Sequence, residues 1–281
     1  MEINATATMS WEPAKHARTG VVDLKLVREG ELLTGGNYTS QMIRYSVGDE
    51  AFKAPRHRHD FEQIRFSLSG TQDFGRGQVS QEGWVTYFPA GAFYGPEHIE
   101  NGAILLLQWS DFFVTREHND RAIAELQELG DFHNGIYTYV DADGKRHNKD
   151  GLNAVWEHVF KRKSAFPTPR YTDPILMNPD AFEWAQATET TSIKVLGRFT
   201  ERDLVIFKVR WDAEGALHLP ENRTYCVFTL LGEVAALDTW YGPETAIWSD
   251  AGEASDIVGN RGAEAMCFGF PRRAAAAVAV P

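Results

Sequence analysis

The 281-residue chain has two cysteines, no run of eighteen apolar residues and no surplus of basic side chains. Two cysteines are too few for a disulfide framework, and Cys226 and Cys267 are expected as buried free thiols, because cysteine packs as a small hydrophobe. Without a long apolar run no helix can cross a bilayer. The alanine-rich AAAAVAV end is too short for that and reads as a loose or docked tail. Against 39 Asp and Glu there are 28 Lys and Arg, a formal net charge of -11. That balance argues against nucleic acid or a membrane surface as partner, since both require basic surface. The start, MEINATATMSWEP, lacks the basic and apolar regions of a secretion signal, so a cytoplasmic location is expected. Also missing are a Gly-x-Ser-x-Gly elbow, a phosphate loop and a dinucleotide fingerprint. Gly75 and Gly77, in FGRGQVSQEG, read as a hairpin turn.

What is present is β texture at both ends. Residues 20–109 are dense in β-branched and aromatic side chains broken by Gly and Asn turns, and similar texture runs from about residue 193 to 270. Between them, residues 115–129 carry Ala122, Ile123, Leu126 and Leu129 at helical spacing, with Gly130 as a stop. A second helix is expected over 150–162, with Leu152, Val155, Trp156 and Val159 on one face. The segment joining them has the form of a hairpin turning at Asp143 and Gly144. Residues 166–182, rich in proline, read as an ordered connector over the surface.

The chemistry gathers in HRHDFEQIRFSLSG, residues 57–70. In an extended chain, side chains at i and i+2 point the same way with Cα atoms about 6.5 Å apart, so His57 and His59 can converge on one cation. Alternation then sets Gln63, Arg65 and Ser67 against Ile64, Phe66 and Leu68, a strand with one polar and one apolar face. Arg56 and Arg58 alternate with the histidines and should point away from them. An inward Arg65 needs an anion, either a substrate carboxylate or an internal acid such as Asp60, Glu62, Asp73 or Glu97. Phe74, Trp84, Tyr87, Phe88, Phe93 and Tyr94 surround the segment, and some of them should line a pocket.

His-x-His, three residues, an acid or amide, six residues, Gly resembles the first motif of the cupin superfamily of small β-barrels. GWVTYFPAGAFYGPEH resembles the second, with Gly83, Pro89 and Gly91 at the family spacings. Ala51 stands where a Gly often precedes the first motif, Gln63 replaces the usual Glu, and Tyr94 stands in the place of a His. The resemblance extends to a repeat. Aligning Gly232 with Gly70 lays YCVFTLLG on QIRFSLSG, so that Leu219 and Glu221 fall on the two histidines, Tyr225 on Gln63, and Ser255 on Tyr94. His218 nearby reads as a core or rim histidine.

The resemblance therefore implies a mainly β fold of two jelly-roll barrels joined by two short helices and a proline-rich connector. The divisions are 1–110 for a metal-binding barrel, 111–190 for the connector and 191–281 for a degenerate barrel. It implies one divalent transition metal (Fe, Mn, Ni or Zn) on His57, His59 and Gln63, with Tyr94 or His98 as a further ligand. Neutral donors leave such an ion its full charge, which strengthens it as a Lewis acid and favours an anionic substrate. Arg65, Ser67 and Phe93 are expected to bind substrate, and Tyr94 or Glu97 to act as acid or base. The expected function is metal-dependent chemistry on a small organic molecule that is carboxylated, enolic or aromatic, with oxygenase-like reactions favoured. Isomerase, lyase or decarboxylase chemistry is the alternative, as is a binding module without turnover. A homodimer is expected on resemblance.

Overall fold

The computed structural model describes residues 1–16, 18–45, 50–110 and 114–272. The AAAAVAV tail lies outside them. The fold is mainly β and consists of two jelly-roll barrels, each made of a seven-stranded and a four-stranded sheet. In the first large sheet the strand order is Ile175–Met177, Val85–Phe88, Glu62–Gly70, Gly102–Ser110, Asn37–Tyr45, Val22–Glu31, Glu12–Pro13. In the second it is Glu2–Ala5, Thr245–Ser249, Tyr225–Leu231, Glu264–Gly269, Leu204–Trp211, Thr191–Phe199, Ala185–Gln186. The two orders correspond strand for strand. Both large sheets also carry a register shift between their two longest paired outer strands, at Leu26/Arg28 and at Val195/Gly197.

The outermost strands are exchanged between the halves. Glu2–Ala5 pairs with Thr245–Ser249 of the second barrel, and Ile175–Met177, from the connector, pairs with Val85–Phe88 of the first. Sheet pairing thus crosses the expected divisions at 110 and 190, and part of the proline-rich connector is strand.

The large sheets pack face to face. Side chains of one parity, including Ile64, Phe66, Trp109, Phe228, Trp248 and Phe268, form the shared core. Glu62 has the same parity and is buried there, accepting hydrogen bonds from Tyr87 (2.5 Å), Trp109 (2.8 Å) and Arg202 (2.7 Å). The opposite parity faces each barrel's own lumen. Both cysteines are free and buried, Cys226 in the shared core and Cys267 in the second lumen.

The connecting segment forms a small unit against the first barrel. Helix α1, Arg116–Gln127, is capped by Thr115, whose hydroxyl accepts from the His118 N–H. It ends ahead of the expected Gly130 stop, because Gly130 opens a strand, Gly130–His133, and Leu129 is left exposed. Two further strands, Ile136–Val140 and Arg146–Asp150, complete a three-stranded sheet that turns where Asp143 and Gly144 predict. Helix α2, Gly151–Phe160, is capped by the Asp150 carboxylate. None of the described helices is long and apolar enough to cross a membrane.

Candidate functional site

The two cupin-like motifs are stitched together by backbone. His57 and Tyr94 exchange N–H to O=C bonds of 3.0 Å in each direction, and the Gly91 N–H donates to the His59 carbonyl at 2.8 Å. Gly91 has φ +80°, and a Cβ there would collide with the Pro167 carbonyl oxygen of the connector, so only glycine fits. The regular strand begins at Glu62. The histidines therefore lie on the irregular backbone before it, where the expectation was a continuous strand, and the bridge to Tyr94 does the aligning.

Their rings meet with centroids 4.9 Å apart. His57 Nδ1 donates to the Pro55 carbonyl at 2.7 Å, which leaves a lone pair on Nε2. Tyr94 is a hub. Its hydroxyl accepts from Gln63 Nε2 at 2.8 Å and from Arg65 at 3.3 Å, and so donates its own proton to His59 Nε2 at 2.8 Å. Gln63 Oε1 in turn accepts from Gln108 at 3.0 Å. Arg65 binds Glu97 at 2.5 Å, and the second Glu97 oxygen is 3.7 Å from His57 Nε2.

Burial governs the protonation states. Desolvation lowers the His57 pKa and, with the charges of His57, Arg18 and Arg65, puts His59 well below the ordinary imidazole range, so both are neutral at pH 7. Desolvation raises the Tyr94 pKa, keeping it a phenol. For Glu97 burial works to raise the pKa, but the charge of Arg65 and its hydrogen bond outweigh it and hold the carboxyl below its usual range.

These groups stand at the wall of a partly open cavity of about 270 Å³. His57, His59, Gln63, Arg65 and Glu97 line it from the barrel, Gln41 and Gln108 from neighbouring strands, Arg18 from the N-terminal segment, and Leu152, Val155 and Trp156 from α2. Tyr94 lies behind this wall.

Other expected site residues fall elsewhere. Ser67 is inward but deep, bonded to Ser80 (3.1 Å) and Gln72 (2.7 Å), and does not line the cavity. Phe93 is on the outside, where Arg56 and Arg58 rest over its ring at 4.5 and 4.6 Å. The arginines do point away from the histidines. His98 is exposed, because strand alternation buries Glu97 and Ile99 and turns the residue between them outward. Phe74, Phe88 and Tyr94 make a small closed cluster, while the cavity's aromatic walls are Tyr45, Phe52, Phe61 and Trp156. Sequence reasoning missed Arg18, Gln108 and the lid helix. Gln108 was within reach, since it is the polar, inward-parity residue opposite Gln63.

The second barrel repeats the frame without the chemistry. Leu219 pairs with Ser255 as His57 does with Tyr94, and the Gly252 N–H donates to Glu221 as that of Gly91 does to His59. Leu217, Leu219, Val227, Ile247 and Ile257 fill its lumen. His218 is on the rim, paired with Asp256 at 2.9 Å.

Structural comparison decides the architecture. The chain is similar to a candidate dioxygenase from Nostoc punctiforme at TM-score 0.61 and 12% identity, over 99% of this chain and 85% of that one. It is similar to YlbA from E. coli at TM-score 0.59 and 10% identity, over 98% and 92% of the respective chains. A point mutant of oxalate decarboxylase OxdC from Bacillus subtilis matches at TM-score 0.54 and 14% identity, over 98% and 78%.

The fold is that of a bicupin.

No protein-family model matches the sequence, and no curated protein matches it. At these identities the bicupin likeness is one of fold, and the chemistry must be read from the residues.

The donors suit a divalent transition metal. Among the described residues no group of three or more His, Cys, Asp or Glu is placed to hold a cation, so the candidate set is two imidazoles with a neutral amide and a phenol. Two donors bound side by side at ~2.1 Å stand roughly 3 Å apart. Tyr94 Oη lies 2.8 Å from His59 Nε2, close to that spacing, whereas Gln63 turns its non-ligating amide nitrogen to the hydroxyl and its Oε1 to Gln108.

Proposed function

We propose that this bicupin is a metal-dependent enzyme acting on a small organic molecule held in the first lumen, with oxygen-linked chemistry favoured over isomerase, lyase or decarboxylase chemistry. The observation that carries the reading is the pair of neutral imidazoles, the buried His57 and the half-buried His59, at the wall of one cavity. His57, His59, Gln63 and Tyr94 would hold the ion. A metal there would act as a Lewis acid on substrate oxygens.

The chain's own groups divide the remaining work. The Pro55 carbonyl fixes the His57 tautomer with its Nε2 lone pair available, and the Tyr94 hydroxyl fixes that of His59 by donating to its Nε2. Arg65 keeps Glu97 ionised, so Glu97 sets the local field and is a poor proton donor at neutral pH. The α2 side chains Leu152, Val155 and Trp156 supply apolar wall on one side of the lumen.

One observation favours a second reading, a binding module without turnover. The Tyr94 hydroxyl is satisfied by His59, Gln63 and Arg65 without any cation. Metal content of anaerobically purified protein, measured by elemental mass spectrometry on wild type and His57→Ala, separates the two. About one iron, manganese, nickel or zinc per chain, lost in the variant, supports the enzyme reading. No metal in either after reconstitution removes it and leaves the binding module.

A further inference from the structure

Besides the Nε of the ion-paired Arg65, two buried hydrogen-bond donors on residues that line the cavity have nothing to donate to among the described residues. The Arg18 side chain is 5% exposed. Its Nη1 serves the Gly135 carbonyl at 3.2 Å and Asp150 at 2.9 Å, but its Nη2 has no acceptor among the described residues. The indole Nε1 of Trp156, on α2, is likewise buried without an acceptor. Buried donors in native proteins are almost always paired, so a site whose orphans are all donors calls for a ligand that brings acceptors.

The charge balance narrows the ligand further. Arg65, the other inward guanidinium, is committed to Glu97 and Tyr94. Asp150, the partner of Arg18, also caps α2 by accepting from the Asn153 N–H, so its charge is shared. Arg18 lines the same cavity as the histidine pair. Ile43, Phe52, Leu106, Leu152 and Val155 supply apolar wall. The volume, about 270 Å³, is near the lower end of the ~300–1,000 Å³ usual for ligand pockets.

We propose that the cavity binds a small monocarboxylate with an apolar body, and that Arg18 anchors its carboxylate. The inference rests on the first lumen being a ligand site, and it is independent of whether a metal is bound.

The test uses the full chain stripped of metal, titrated calorimetrically with acetate, benzoate and phenylacetate, each against its own neutral amide. At least one acid is expected to bind about tenfold or more tightly than its amide, and Arg18→Gln is expected to erase that preference. Arg18→Lys, which keeps the charge but not the fork, should retain part of it. Because Arg18 also ties down α2, Trp156→Phe serves where circular dichroism shows Arg18→Gln unfolded. It removes one orphan donor and should weaken the acid about threefold to tenfold. The proposal is overturned if no acid of the panel binds, if acids and amides bind alike, or if Arg18→Gln or, in its place, Trp156→Phe keeps wild-type affinity for the acid. Metal content is measured in parallel. A wild type that carries metal as purified but prefers no acid over its amide sinks the Arg18 assignment alone, whereas absence of metal with the preference intact sinks only the enzyme reading.

Discussion

The two barrels share strand order, register shifts and the backbone bonds that join their motifs, yet one lumen is polar with a cavity and the other is filled with aliphatic side chains. The jelly roll is therefore indifferent to what occupies its interior, provided the outward face of each large sheet packs on the other. Stability is supplied by the shared core and by the filled lumen. The first lumen carries a buried and a half-buried histidine, an ion pair and orphan donors, all of which cost free energy to bury. Such groups are retained where a ligand uses them.

Emptying or converting one lumen should sharpen this contrast. The largest effect is expected for Arg65→Met, which leaves the Glu97 carboxylate buried without its guanidinium, at a cost of ~3–5 kcal/mol in denaturant unfolding. Adding Glu97→Leu makes the first lumen resemble the second and should recover most of that loss, since apolar replacements of buried ion pairs are often neutral or better. An additive loss in the double variant would mean that the pair itself holds the barrel together. Next in size, Ile257→Ala in the second lumen should cost ~2–5 kcal/mol and leave metal content at the first barrel unchanged. A fall in bound metal would show that the filled barrel shapes the other. Smallest is His98→Ala, expected within ~0.5 kcal/mol of wild type with metal content unaltered. Lost metal would return His98 to the site.

Local pattern made much of this legible. The spacing of His57, His59 and Gln63 singled out residues that the fold brings to the wall of one cavity, and the alignment of Leu219 and Ser255 on His57 and Tyr94 is matched by a repeated backbone pairing. Parity alone turned Gln63, Arg65 and Ser67 inward. What escaped depends on contacts between distant segments. Arg18 enters the cavity from an irregular stretch with no periodicity to read, and helix α2 covers the lumen only because the connecting unit folds back onto it. Phe93 was misplaced because the irregular backbone between Pro89 and Gly95 turns it out beneath Arg56 and Arg58. The four residues Glu2–Ala5 show nothing of which barrel they join.

That last feature has a consequence for synthesis on the ribosome. The Thr6 hydroxyl, at the end of the first strand, bonds the Glu244 carbonyl across 238 positions of sequence. Made well before its partner, this strand must wait until nearly the whole second barrel has emerged before it has an edge to join, while the first barrel waits for Ile175–Met177. Each half thus needs a ribbon encoded outside it, and a nascent chain released early would expose an unpaired sheet edge, a template for aggregation.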